Sequence, residues 1–148
     1  MLLNELIPIL QIAVIPAILI SGVGLIMLSL TNRFGRIADR SRQLLVELRS
    51  VHSAGRDILL LEIRVLSNRA LTLRLAIALA TVSQLFAAVL IITIFLGAFL
   101  NWRAGLIVVI LFVGSLVFLI GALIAFLRDV NLSLAALRLE LPSKDQTG

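Results

Sequence analysis

Three long runs without a charged residue constrain most strongly what this chain can fold into. They cover Ile7–Leu30, Leu75–Leu100 and Ala104–Leu127. Each is longer than the ~20 residues that an apolar helix needs to cross a bilayer. Hydrophobic residues make up 61% of the 148-residue chain, whereas a soluble domain is only about half apolar. We therefore predict an all-α integral membrane protein with three transmembrane helices.

The distribution of basic residues predicts the orientation of these helices. Nine of the 13 lysines and arginines lie between Thr31 and Arg74, and short loops rich in arginine stay on the cytoplasmic side. No basic residue precedes the first run, which argues for a retained helix over a cleaved signal peptide. The last two runs form a hairpin with a tight outer turn at residues 101–103. We predict an outer N-terminus and a cytoplasmic C-terminus.

The cytoplasmic segments are also predicted to be helical. Residues 31–74 contain no proline, and apolar side chains recur there at steps of three, four and seven. A break at residues 53–55 divides this segment into a helical hairpin, and a third apolar stripe follows the last span over residues 128–141. The stripe residues are Phe34, Ile37, Leu44, Leu48 and Val51, then Leu59, Ile63, Leu66, Ala70 and Leu73, with the same spacing carried on to Ile77, Ala80 and Gln84, and finally Val130, Leu134, Leu137 and Leu141. We expect one membrane domain, residues 1–148, whose spans extend into a small cytoplasmic helical bundle.

The densest polar segment begins where the first run ends. Its candidates for contact with anionic phospholipid headgroups are Arg33, Arg36, Arg40 and Arg42. Guanidinium groups suit phosphate oxygens, and Asp39 is expected to pair with Arg36 or Arg42 at a helical spacing of three. Three interpretations stay open: a general positive anchor that touches lipid, a specific site for an anionic lipid or small anion, and an anion-selective vestibule in an oligomer.

Polar residues inside the runs are few, and none of them is ionisable. Ser21, Thr81 and Gln84 are the candidates for an intramembrane polar contact or for the lining of a pore. An interhelical hydrogen bond from Gln84 is the alternative to a role in a pore, since buried amides commonly hold membrane helices together. Proton-driven transporters usually carry an ionisable group in the membrane, so this composition weighs against that class.

Catalytic and metal-binding patterns are missing from the sequence. The chain has no cysteine and one histidine, His52, which we expect to be exposed and unengaged. No nucleophile, paired carboxylates or glycine-rich phosphate loop occurs in a usable arrangement. We therefore expect no enzyme activity, no metal and no cofactor. The basic residues lie between apolar runs, so we expect contact with lipid headgroups and no nucleic-acid partner.

One segment carries a resemblance to known proteins. Thr31-Asn32-Arg33, followed by Arg36, Asp39, Arg40 and Arg42, comes after an apolar first span that contains Ser21-Gly22. This pattern resembles a widespread family of small bacterial membrane proteins of unknown function. The resemblance extends over about residues 7–127, and it implies a bacterial cytoplasmic (inner) membrane protein with three spans. It implies no activity, cofactor or catalytic residue.

Two functional hypotheses follow from these features. The first is a non-catalytic, self-associating membrane protein that serves as a scaffold, a regulator or an element that binds anionic lipid. The second is a homo-oligomeric ion channel, since three spans cannot enclose a pore alone and repeated copies would have to surround one. A channel requires a ring of subunits with a wettable line of residues, whereas a scaffold can be a dimer with a dry interface.

Overall fold

Three long helices make up the structure, a computed structural model. It describes the backbone of residues 3–50, 55–100 and 105–140, and the side chains of residues 6–50, 55–100 and 105–131. The helices are α1 (Leu3–Ser50), α2 (Arg56–Leu100) and α3 (Gly105–Glu140). All three are long and apolar enough to cross a membrane, and these ranges contain no strand. The predicted all-α fold with three membrane helices is confirmed.

Each helix is longer than a membrane crossing because an apolar run and a charged segment form one continuous helix. The 48 residues of α1 are more than twice the ~20 that cross a bilayer. At the start of α2 the amide of Leu59 donates to the carbonyl of Gly55 at 3.3 Å. Asp57 in the first turn of α2 interacts favourably with the positive end of the helix dipole. Residues 101–104, which include the predicted hairpin turn, His52 and the residues after Glu140 lie outside the described ranges.

The buried side chains recur with a seven-residue period, which is typical of helices that pack as coiled coils. On α1 the period is carried by Val23, Leu30, Ile37 and Leu44. On α2 the buried positions alternate by three and four residues: Leu73, Ala76, Ala80, Ser83, Ala87 and Leu90. Of the stripe predicted for α2, Leu73 and Ala80 are buried, whereas Ile77 and Gln84 are half-buried. The buried face departs in part from the predicted one because residues 75–100 carry apolar side chains on every side of the helix.

Contacts divide the chain into two compact units, and all three helices contribute to both. The apolar unit comprises residues 1–29 and 77–122, and the charged unit comprises residues 30–76 and 123–148. The core of the apolar unit is built on Val23, Ala80 and Ala122. Its outer surface is apolar too, with Leu25 72% exposed. Such a surface is unfavourable in water and suits contact with lipid.

A pair of serines joins α2 to α3 inside the apolar unit. Ser83 Oγ donates to the carbonyl of Ser115 at 2.8 Å, and Ser115 Oγ donates to the carbonyl of Ser83 at 3.2 Å. Both side chains are completely buried. A hydroxyl without a partner is costly in an apolar interior, so this reciprocal bonding favours one register of the two helices.

Candidate anion-binding site

A buried carboxylate lies at the centre of the charged unit. Asp129 on α3 has no exposed surface, although it follows the last apolar run by only two residues. It lies four residues after buried Ala125 and therefore on the same face of the helix. An ionised carboxylate is buried in proteins only where cations or hydrogen bonds compensate for the lost hydration.

Two arginines from the other two helices provide this compensation. Arg69 on α2 donates from Nε to Asp129 Oδ1 at 3.4 Å, and Arg33 on α1 places Nη1 3.7 Å from Oδ2. The Arg33 guanidinium also lies 5.0 Å from the centre of the Phe126 ring, close enough for a cation–π interaction. Asp129 thus connects all three helices, and its Oδ2 atom accepts no hydrogen bond.

The same arginines line a cavity of about 360 Å³. Ligand sites typically have volumes of ~300–1,000 Å³, so this one is large enough for a small polar group. The residues that line it are Arg33, Arg36, Ile37, Arg40, Leu66, Arg69 and Asp129. Four guanidinium groups therefore face one carboxylate, and the cavity has a strong excess of positive charge.

Arg40 is held by a second carboxylate. Its Nη2 and Nε atoms lie 2.9 and 3.2 Å from Oε1 of Glu62. Both side chains of this pair are more than 40% exposed, so the pair adds little stability, but it does orient the guanidinium. Arg36 is exposed and belongs to none of the ion pairs formed by the described residues.

Three of the four arginines singled out from the sequence, Arg33, Arg36 and Arg40, lie together at this cavity. Arg42 is exposed and does not line it. Asp39 is also exposed, and its predicted pairing with Arg36 or Arg42 is not among the ion pairs of the described residues. Arg40 pairs with Glu62 on the neighbouring helix. The arginine-rich segment of α1 therefore has one face toward the cavity and another toward the surroundings.

The three polar residues proposed for the membrane interior differ in burial and in hydrogen bonding. Ser21 and Thr81 are exposed, and each hydroxyl donates to a carbonyl four residues earlier in its own helix. Gln84 is half-buried and donates from Nε2 to the carbonyl of Ile20 on α1 at 3.2 Å. The amide thus forms a contact between helices, with the backbone of α1 as the acceptor.

Asp129, Arg69 and Glu62 were not identified as site residues from the sequence. The apolar stripe predicted for residues 128–141 begins at Val130, one residue after Asp129, yet Val130 is only half-buried. A usable signal was present in the spacing of Ala122, Ala125 and Asp129, because steps of three and four residues place a carboxylate on a face of small residues.

The described side chains contain no group of three or more histidine, cysteine, aspartate or glutamate residues that could hold a metal ion. The site is instead rich in hydrogen-bond donors with permanent positive charge. Guanidinium groups bind planar or tetrahedral oxyanions through paired N–H donors. The arrangement can bind an anion, and its one carboxylate, Asp129, is buried and paired with two arginines.

Comparison with known proteins agrees with this architecture. The model of a family described as "Protein of unknown function (DUF2721)" matches residues 13–139. The chain belongs to this family. The predicted resemblance to a small three-span family of unknown function is thereby confirmed, and the family brings no assigned activity. No curated protein and no solved structure matched the chain.

Proposed function

We propose that this chain is a non-catalytic membrane protein whose charged unit binds a phosphate-bearing anion, supplied by the headgroup of an anionic phospholipid. The observation that carries the proposal is the cavity of about 360 Å³ lined by four arginines, whose charge is only half balanced by the two carboxylates paired with them, Asp129 and Glu62. Like charges at this density repel one another, and a bound oxyanion relieves the repulsion while accepting charge-assisted hydrogen bonds.

The sequence positions of the cavity residues support a lipid source for the anion. Arg33 follows the end of the first apolar run by three residues, and Asp129 follows the end of the third by two. Arg69 precedes the start of the second run by six residues. If the runs span the hydrocarbon core, the cavity lies at the depth of the lipid headgroups, where basic pockets between membrane helices bind phosphates.

The proposal is tested with the chain in phosphatidylcholine nanodiscs that contain phosphatidylglycerol. Native mass spectrometry measures how much phosphatidylglycerol each variant retains. Arg36→Gln removes an unpaired cavity arginine, and we expect about fivefold weaker binding, the factor that corresponds to ~1 kcal/mol for one arginine near the surface. Arg42→Gln is the matched control, because it removes the same charge from an exposed position on the same helix outside the cavity.

The outcomes separate the possible sources of the anion. Equal weakening by Arg36→Gln and Arg42→Gln would mean a diffuse attraction to the bilayer and would refute a specific site. Inorganic phosphate is titrated against the chain in pure phosphatidylcholine nanodiscs as a second arm. If phosphate binds there while phosphatidylglycerol is not retained, the ligand is a soluble anion and not a lipid headgroup.

The finer parts of the sequence interpretation stay predictions. They are the bacterial inner membrane, the outer N-terminus, the homo-oligomer and the channel alternative. For the channel, the described polar side chains offer no supporting observation, since the hydroxyls of Ser21 and Thr81 bond within their own helices and Gln84 bonds to α1. Anionic-lipid binding is the function that the described contacts support best.

A further inference from the structure

We infer that the ligand of the arginine cavity is a phospholipid that carries two phosphate charges in one headgroup; this inference rests on the proposed function and names its ligand class. It follows from how the positive charge is distributed within the cavity. The ion pairs of the charged unit balance part of the positive charge of its arginines and leave the rest as an excess.

One end of the cavity has a net charge of +1. Arg33 and Arg69 share a single carboxylate, Asp129, at 3.7 and 3.4 Å, so two positive charges meet one negative charge. Arg33 is held there from a second side by the ring of Phe126. This end can accept one phosphate charge without releasing Asp129.

Arg36 and Arg40, the other two arginines of the cavity, also have a net charge of +1 once Glu62 is counted. Arg40 is neutralised by Glu62 through two contacts to the same carboxylate oxygen. Arg36 lines the same cavity and has no carboxylate partner among the described residues. Arg36 therefore provides one positive charge for a second phosphate.

The two excess charges lie about one helical turn apart along α1. Arg36 follows Arg33 by three residues, which corresponds to about 4.5 Å of helix. Arg33 is held by Asp129 and by the ring of Phe126, whereas Arg36 has no carboxylate partner among the described residues. If Arg33 moved to share one phosphate with Arg36, it would leave Asp129 as a fully buried charge with fewer partners. Two linked phosphates, one beside Arg33 and Arg69 and one beside Arg36, balance both excess charges without this loss.

The inference is tested by comparing two lipids at matched total negative charge in phosphatidylcholine nanodiscs. Cardiolipin carries two phosphate charges per molecule, and phosphatidylglycerol carries one. We expect the unmodified chain to retain cardiolipin with about tenfold higher affinity, because the second phosphate adds a charge-assisted interaction of ~1.5 kcal/mol. In Arg36→Gln this preference should fall to about twofold or less, whereas Arg42→Gln should keep it.

The outcomes distinguish this inference from the proposed function. Equal affinities for the two lipids in the unmodified chain would overturn the two-phosphate ligand and leave anionic-lipid binding standing. Retention of neither lipid above phosphatidylcholine would overturn both. Tighter binding of inorganic pyrophosphate than of cardiolipin would replace the lipid with a soluble diphosphate. Arg36 is exposed and unpaired, so its replacement tests the preference without the risk of unfolding that accompanies changes at Arg33.

Discussion

The buried carboxylate predicts an unusual order of stabilities. Replacing Arg69 with glutamine should destabilise the chain more than replacing Asp129 itself with asparagine. Asp129 is completely buried, whereas the side chains of Arg69 and Arg33 are 24% and 37% exposed. Removing Arg69 leaves a buried charge that only Arg33 approaches, at 3.7 Å. Removing the carboxylate leaves two arginines that can still reach water.

The magnitudes follow from this difference in exposure. Loss of one partner from a buried ion pair costs ~3–5 kcal/mol. For Arg69→Gln we expect a loss of about 3 kcal/mol, because Arg33 stays near the Asp129 carboxylate. Loss of a hydrogen bond to a charged group costs ~1.5–3 kcal/mol, which leads us to expect about 2 for Asp129→Asn. The double variant should lose only about 3 kcal/mol of unfolding free energy. With a neutral asparagine at position 129, Arg69→Gln no longer leaves a buried charge without its partner.

The assay is equilibrium unfolding in mixed detergent micelles with increasing sodium dodecyl sulfate, followed by far-ultraviolet circular dichroism. Arg64→Gln is the control, because Arg64 is exposed on the same helix and forms none of the ion pairs of the described residues. We expect the control to change the free energy of unfolding by less than ~0.5 kcal/mol. Two results would refute the reasoning: an Arg69→Gln loss no larger than that of the control, or a double variant whose loss equals the sum of the two singles.

Three further predictions address the packing and the topology. Ser83→Ala and Ser115→Ala should each lower stability by ~0.6 kcal/mol, and the two losses should be nearly additive in a double-mutant cycle in the same assay, since each hydroxyl donates to a backbone carbonyl that the other substitution leaves in place; no loss from either substitution would contradict the bonding. Gly114→Ala places a Cβ atom 2.9 Å from an aromatic ring carbon and should cost ~1–3 kcal/mol, whereas Gly22→Ala meets nothing within 4 Å and should leave the unfolding midpoint unchanged or raised. Because the chain has no cysteine, Arg64→Cys provides a unique thiol, which a membrane-impermeant maleimide should label only after the cells are opened; labelling of intact cells would reverse the predicted orientation.

Much of the architecture could be predicted because hydrophobicity is a property of individual residues. Three uncharged runs led to three membrane-length helices, and the stripe on α1 through Ile37 and Leu44 is buried as expected. The helix break predicted at residues 53–55 falls between the described end of α1 at Ser50 and the start of α2 at Arg56. The arginines of the cavity could be selected in part, because a helical period places Arg33, Arg36 and Arg40 on one face.

Rotation and pairing of the helices were harder to predict. The stripe predicted on α2 shares the buried positions Leu73 and Ala80, but it missed Ala76 and Ser83, which are also buried. A helix that is apolar on every side has no single face that its sequence marks for burial. The side that it turns toward its neighbours therefore depends on the close approach of small residues and on buried hydroxyl bonds. Those interactions join segments that are distant in sequence, such as Ser83 and Ser115.

The residues alone indicate three apolar helices of membrane length, a charged segment with an arginine-rich face, and no catalytic pattern. The packing of the helices is needed to show that Asp129 is buried between Arg33 and Arg69, and that Arg36 lines the cavity while Arg42 does not. The two kinds of feature differ in the separation along the chain of the residues that interact. Burial in lipid is favourable residue by residue, whereas an ion pair between positions 33 and 129 depends on the register and rotation of two helices, which no local pattern specifies.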